Sequence, residues 1–292
     1  MKVAGIGEVV FDCFEHTQKQ GGAPCNVAMH LGQLGFESYA IIAVGDDTLG
    51  HEALDTIHSY GTKTIDPIVP YETSTVQITL NNGIPQYTIK ENVAWDHLVL
   101  TDNMKQLAKE LDMICYGTVA QRSQETRSSI MEFLSLMKPS SHRVFDVNIR
   151  QHYYNDEIIN ETLKLSTIVK MSDEEIDIIA KSCKIEETDH LEIVKMIHQK
   201  FSLKYILFTL GEKGSYVYDG TTMKYCEATK VNVLNTVGAG DCFTAIFMGC
   251  LMKNKSVELC QQLASECAAF VCTQEGAIPQ FSDEILIRLK EN

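Results

Sequence analysis

The chain is 292 residues long, with 45% apolar and 22% charged residues and a formal net charge of −14. That length suits one large α/β domain, and the composition supports a sizeable core and excludes a disordered chain. The acidic excess argues against non-specific binding to nucleic acid or to an anionic membrane. No apolar run reaches the length of a membrane span. The ten cysteines form no CxxC pair and no zinc spacing, and most sit in apolar runs. This is the pattern of reduced, buried thiols in a cytoplasmic protein.

Residues 2–7 and 9–11 read as strand from the very N-terminus, which argues against a signal peptide. Residues 21–35 read as a glycine loop followed by a helix with Val27, Ala28, Leu31 and Leu34 on one face. A strand at 39–44 and a helix at 49–60 continue a βαβα rhythm, which predicts a largely parallel sheet covered by helices. Between about residues 66 and 95 the rhythm breaks. Residues 75–80 and 86–89 alternate strictly, and Asn81-Asn82-Gly83 supplies a hairpin turn. This predicts a small antiparallel lid outside the main sheet, joined by a further strand near 13–19. Its exposed edges and apolar face invite pairing with a second copy, so a homodimer through the lid is expected. Strands then recur at 112–117, 143–148, 167–171, 205–210 and 214–218, with helices near 102–109, 123–138, 156–164, 173–182 and 188–201. Helices at 240–252, 256–272 and 281–290 fill the C-terminal third. Without a repeat or a linker, residues 1–292 read as one domain with an embedded lid.

Polar residues cluster just after the strand ends: Asp12, Thr118, Asn148, Arg150, Glu175, Thr209 and Gly211. Open α/β sheets bind their ligands there. The stretch Asn235-Thr236-Val237-Gly238-Ala239-Gly240-Asp241 places a glycine turn directly before an apolar helix. Such a turn points backbone N–H groups outward and adds the positive end of the helix dipole, which makes an anion site. A carboxylate inside an anion site needs a task, and general base fits: Asp241 takes a proton from a hydroxyl while Gly238, Ala239 and Gly240 hold phosphoryl charge, with the helix end keeping Asp241 ionised. The string alone also fits a capped loop with Asp241 as N-cap. There is no GxxxxGK[ST] and no HRD or DFG set, and Val10 stands where a dinucleotide fingerprint needs its third glycine.

Two motifs in register, Gly21-Gly22-Ala23-Pro24-Cys25-Asn26-Val27-Ala28 and the 235–241 stretch, resemble those of the ribokinase-like PfkB carbohydrate kinases. The resemblance covers essentially the whole chain. It implies a three-layer α/β/α sandwich with a mostly parallel central sheet and a small lid. Glu91-Asn92-Val93-Ala94-Trp95-Asp96, Tyr116-Gly117-Thr118-Val119-Ala120-Gln121-Arg122 and Asp146-Val147-Asn148-Ile149-Arg150-Gln151 look most like bacterial fructokinases. The implied reaction moves the γ-phosphoryl group of ATP to a sugar hydroxyl, with fructose first; other sugars, sugar acids, nucleosides and a silent sugar-binding regulator stay open. The resemblance assigns Asp12, Asn26 and the Gly22 backbone to sugar hydroxyls. It leaves Arg122 either facing the substrate or in a structural ion pair. Asn148, Thr209 and Gly211 fall beside the nucleotide, and Glu175 would order water around Mg²⁺; the Arg150 guanidinium suits transferred phosphoryl charge at the ATP site, with a surface role as the alternative. Two positions depart from the pattern. Ser172 replaces the usual Asn, and Asn235 replaces the usual Asp near a monovalent-cation site, which weakens the case for K⁺ there while leaving backbone carbonyls able to bind the ion.

Overall fold

The computed structural model describes residues 1–13, 18–81 and 84–290. Asn82 and Gly83 of the expected hairpin turn, and the middle of the strand expected at 13–19, lie outside the described residues. The chain begins with β1 (Lys2–Ile6), β2 (Val10–Cys13), β3 (Gln18–Gly21), α1 (Ala23–Gln33), β4 (Glu37–Ile41) and β5 (Val44–Gly45). Next come α2 (Thr48–Ser59), β6 (Thr62–Thr64), β7 (Ile68–Val69), β8 (Ser74–Asn81) and β9 (Ile84–Ile89). Then α3 (Asp102–Glu110), β10 (Met113–Tyr116), α4 (Gln124–Leu136), β11 (His142–Asp146), α5 (Asp156–Leu165) and β12 (Ile168–Ser172) alternate. The remainder is α6 (Ile176–Ser182), α7 (His190–Phe201), β13 (Tyr205–Thr209), β14 (Ser215–Tyr218), β15 (Met223–Cys226), α8 (Ala239–Met252), α9 (Val257–Cys272) and α10 (Asp283–Lys290).

The main sheet has nine strands in the order β15-β14-β13-β12-β11-β10-β1-β4-β6. From β6 to β13 neighbouring strands are parallel; β14 and β15 extend the edge antiparallel. Alternate residues of each strand face opposite layers. Ile114 and Tyr116 of β10 join the core built with α3 to α7, whereas Met113 and Cys115 join the core built with α1, α8 and α9. Period-two alternation thus feeds two apolar layers, which is why the central strands read as nearly continuous apolar runs. The chain leaves β1 toward β4 on one side, and β10 closes the other. The carboxyl end of β1 is therefore a topological switch point, where such sheets bind ligands.

The lid differs from a lone hairpin. A second sheet orders β3-β2-β8-β9, with β2 and β8 parallel. Because β3 ends at Gly21 and α1 begins at Ala23, this sheet runs directly into the first glycine motif. The strand expected at 39–44 is also divided: β4 ends at Ile41, and Val44–Gly45 pairs with β7.

Behind the site, His30 of α1 is fully buried and stacked on Phe281 at 5.4 Å. Neither ring nitrogen has a hydrogen-bond partner. Burial lowers its pKa to about 4, with the Ala277 backbone opposing. A buried neutral histidine stabilises the fold fully above its unfolded pKa near 6.5 and loses that contribution as pH falls toward 4, about 3 kcal/mol in all. The difference in urea-unfolding stability between pH 7.5 and pH 4.5 should shrink by about that amount in His30→Leu.

Candidate active site

Two helix N-termini meet over the end of β1. The first is α1, pressed hard onto that strand. A Cβ on Gly5 would lie 1.9 Å from the Pro24 carbonyl oxygen, and one on Gly22 would lie 2.3 Å from that of Glu8. Gly22 also has φ +121, so only glycine fits there. As N-cap it offers no side chain. The Glu8 carboxylate, arriving from the end of β1, is buried beside the start of α1, and burial raises its pKa to about 7 while nearby backbone N–H groups oppose.

The second N-terminus is α8. Gly238, with φ +78, is its N-cap, and a Cβ there would lie 2.4 Å from the Ala277 carbonyl oxygen. Ala239 N–H donates to Thr236 O at 3.3 Å. Helix geometry leaves the N–H groups of Gly240 and Asp241 without intrahelical acceptors. Asp241 is thus inside the first turn rather than its cap, which removes the capped-loop reading. Its Oδ2 accepts from Asn26 Nδ2 at 2.7 Å, joining residues 215 positions apart.

Burial raises the Asp241 pKa above its ordinary value, while the Asn26 hydrogen bond, Lys170 and Arg150 pull it down. Desolvation is the largest influence on Asp241, so the helix end expected to keep it ionised works against burial. Lys170 lies beneath the turn, its Nζ 3.0 Å from where a Gly240 Cβ would stand. That Nζ donates to Asp146 Oδ1 at 3.1 Å, and Asp146 Oδ2 accepts from Thr244 Oγ1 at 3.2 Å. Burial pushes Asp146 up to about 6, with Lys170 opposing.

Glu175 is buried, and its two oxygens accept from Ile149 N at 2.9 Å and Ser172 N at 2.8 Å. It therefore ties the ends of β11 and β12 together. Asn148 sits between them at φ +40, and its carbonyl accepts from Thr118 Oγ1 at 3.2 Å. Arg150 is exposed and donates to the Ile149 carbonyl at 3.0 Å while remaining electrostatically coupled to Asp241. Thr209 lies beside Ser172 in the sheet. Gly211 has φ +56 with no protein atom within 4 Å of a Cβ position, so backbone conformation rather than crowding selects glycine. Asp12 lies on β2, paired to Lys19 and Val76; its side chain is outside the described residues.

Arg122 belongs to a separate cluster. It pairs with Asp96 through two bonds of 2.8 Å, and its guanidinium lies 3.9 Å from the Trp95 ring. Of its two readings, the ion pair is the contact seen. A cavity of about 490 Å³ beside it is lined by Asp96, His152 and Tyr153, with Asp241 outside it. The Asn235 departure also has a partner: its Nδ2 donates to Gln274 O at 2.7 Å, a bond that a carboxylate could not make.

Glu8, Asp146 and Lys170 were missed as site residues in the sequence. Lys170 did leave a signal, a charge inside the apolar strand Ile168-Val169-Lys170-Met171. Among the described residues no group of three or more His, Cys, Asp or Glu side chains could hold a metal, and no helix is long and apolar enough to cross a membrane.

Known proteins resemble the chain over nearly its whole length. The model of the pfkB family carbohydrate kinases matches residues 3–284. An uncharacterized sugar kinase of Pyrococcus horikoshii is 27% identical over 99% of this chain and 96% of its own. Its crystal structure in complex with ATP superposes with a TM-score of 0.78, at 25% identity, covering 98% of this chain and 97% of that one. The fructokinase of Salmonella typhimurium is 27% identical over 95% of each chain.

Removing one member of a buried ion pair leaves the other uncompensated, which costs about 3–5 kcal/mol. Lys170→Met should be destabilised by that amount in chemical denaturation. The double variant Asp146→Leu/Lys170→Met should recover most of the loss.

Proposed function

The chain belongs to the pfkB family of carbohydrate kinases, and we propose that within it the enzyme transfers the γ-phosphoryl group of ATP to a hydroxyl of fructose. The observation that carries this reading is the 2.7 Å bond between Asn26 and Asp241. It joins the two glycine motifs, so that a proton acceptor and a helix N-terminus address the same point. Asp241 takes the proton of the attacking hydroxyl. The N–H groups of Gly240 and Asp241, with Lys170 beneath them, face the charge that grows on the phosphoryl oxygens. Asn26, the Gly22 backbone and Asp12 orient the sugar. Arg150 and Asn148 lie toward the nucleotide phosphates, and Thr209 and Gly211 beside the nucleotide. Val233, Leu234 and Val237 are exposed on the approach to the turn and offer the apolar face that a purine ring needs.

ATP is inferred from the complex of the Pyrococcus horikoshii kinase, and fructose from the Salmonella typhimurium relative. Mg²⁺ fits the site as an ion held by phosphate oxygens and water. Glu175 accepts two backbone bonds, and its remaining lone pairs can take water bound to the ion. When bound, Mg²⁺ neutralises phosphate charge. The four-stranded lid would exclude water from the reacting groups. It would also form the homodimer contact.

Purified protein with ATP, Mg²⁺ and a panel of fructose, ribose, 2-keto-3-deoxygluconate, fructose-6-phosphate and adenosine should release ADP fastest with fructose. A preference for another member would overturn the substrate, and silence across the panel would overturn the reaction. Asp241→Asn should keep its fold and lose about 10²–10⁴-fold in kcat, the usual worth of a general base. Gly238→Ala forces a side chain into a left-handed position against Ala277 O. Its kcat should fall by about 10²–10³-fold through misplaced donors, with fructose affinity little changed by calorimetry.

A further inference from the structure

Thr244 is fully buried in α8 among Phe243, Ala245 and Phe247, where an apolar residue would serve packing as well. Its hydroxyl donates toward two oxygens. One is Gly240 O at 3.1 Å, a turn back along the same helix, and the other is Asp146 Oδ2 at 3.2 Å, from the end of β11. The bond within the helix is by itself enough to satisfy a buried threonine hydroxyl. The bond to Asp146 goes beyond that need, and it joins residues 98 positions apart.

Asp146 is 1% exposed, and its other oxygen accepts from Lys170 Nζ at 3.1 Å. One carboxylate thus holds both the buried ammonium and the first turn of α8. Gly240 and Thr244 lie one turn apart on the same face of that helix. Lys170 Nζ meets this face, 3.0 Å from where a Gly240 Cβ would stand. Apolar packing seats α8 in its layer but is non-directional. A hydroxyl–carboxylate bond is directional, so it fixes the rotation and height of one turn.

We propose that Thr244 is a positioning residue for phosphoryl transfer: its hydroxyl ties the first turn of α8 to the Asp146–Lys170 pair and so holds the Gly240 and Asp241 N–H groups in register with the buried ammonium. The inference rests on the reading of that turn as the place where phosphoryl charge grows. Donors act on a transition state only when they are placed in advance, and a shift of about 1 Å costs about 10²-fold in rate. Losing one tie of several shifts the turn by less, so the expected loss is about tenfold.

The test is steady-state kinetics with fructose, ATP and Mg²⁺. Thr244→Val keeps the shape and removes the hydroxyl; its kcat should fall about tenfold, with KM for fructose and for ATP changed by less than about twofold. Thr244→Ser should return kcat to within about twofold of wild type, and Thr244→Cys, with a weak donor, should not. Should Thr244→Val fail to fold, the serine and cysteine variants carry the same contrast. An unchanged kcat in folded Thr244→Val, an equal loss in Thr244→Ser, or a raised KM with kcat intact overturns the proposal. A second measurement needs no turnover. The Cys242 N–H bonds Gly238 O at 2.9 Å in the first turn. In Thr244→Val the Cys242 and Phe243 amides should exchange with deuterium about tenfold faster relative to those of α9. No change, or an equal rise in α9, overturns it. Loss of turnover in Asp241→Asn supports the base reading whichever way Thr244 behaves. Silence of the wild type on every sugar would overturn the reaction, and the exchange measurement would still decide the tie.

Discussion

The bond from Asn26 to Asp241 requires two helices to start at the same place, and most of the architecture follows from that demand. Helix α1 must come down onto the end of β1, so Gly5, Gly7 and Gly22 have no side chains where Pro24 and the Glu8 backbone press. Helix α8 must lie beside α1 on the same face of the sheet. Gly249 permits this, since a Cβ there would touch Leu31, Leu34 and Phe36 at 3.0–3.3 Å. Residues 26 and 241 are distant in the chain, so their meeting is a property of the packed layer and of neither motif alone. Once they meet, the N–H groups of Gly240 and Asp241 in the first turn of α8 lie beside the start of α1, in a chain with a large acidic excess.

Much of this was legible in the sequence because it is local. Glycine turns opening apolar helices are readable residue by residue, and so is the alternation of strand and helix that places polar residues after strand ends. The second sheet was only half legible. The β8 and β9 strands alternate and can be read as a hairpin, but their partnership with β2 depends on pairing across some sixty residues, which no period reports. Division of the 39–44 strand was hidden for the same reason: Val44 finds β7, a strand of two residues too short to show a pattern.

The charged groups beneath the turn illustrate a different limit. Lys170 and Asp146 are adjacent in space because β11 and β12 are parallel neighbours in register, Asp146 opposite Lys170. The sequence displays each as a charge in or after an apolar strand, and either one alone looks like an error in the pattern. Together they form a paired, hydrogen-bonded unit whose Asp146 also anchors Thr244 of α8. Glu8 is hidden more deeply. A glutamate after a strand is ordinary, and only the fold shows that it is buried beside the start of α1 with Oε2 lacking a partner.

Several acids are gathered close to where an anionic substrate is expected, and this is a physical problem that the arrangement solves by division of labour. Asp146 is neutralised by Lys170, and Glu175 is held by two backbone N–H groups, so both are occupied in fixing the ends of β11 and β12. Asp241 keeps a hydrogen bond from Asn26 but no cation within bonding distance among the described residues, which leaves its lone pairs for an incoming proton. The turn itself is fixed by neutral contacts: Asn235 Nδ2 on Gln274 O, Leu234 N on Cys272 O, and Gly238 against Ala277. An amide at position 235 serves this purpose where a carboxylate would repel the Gln274 carbonyl. Fixing the turn with neutral groups adds no further charge at the start of α8, where the proposed reaction would bring a buried carboxylate and a phosphoryl group to one helix end.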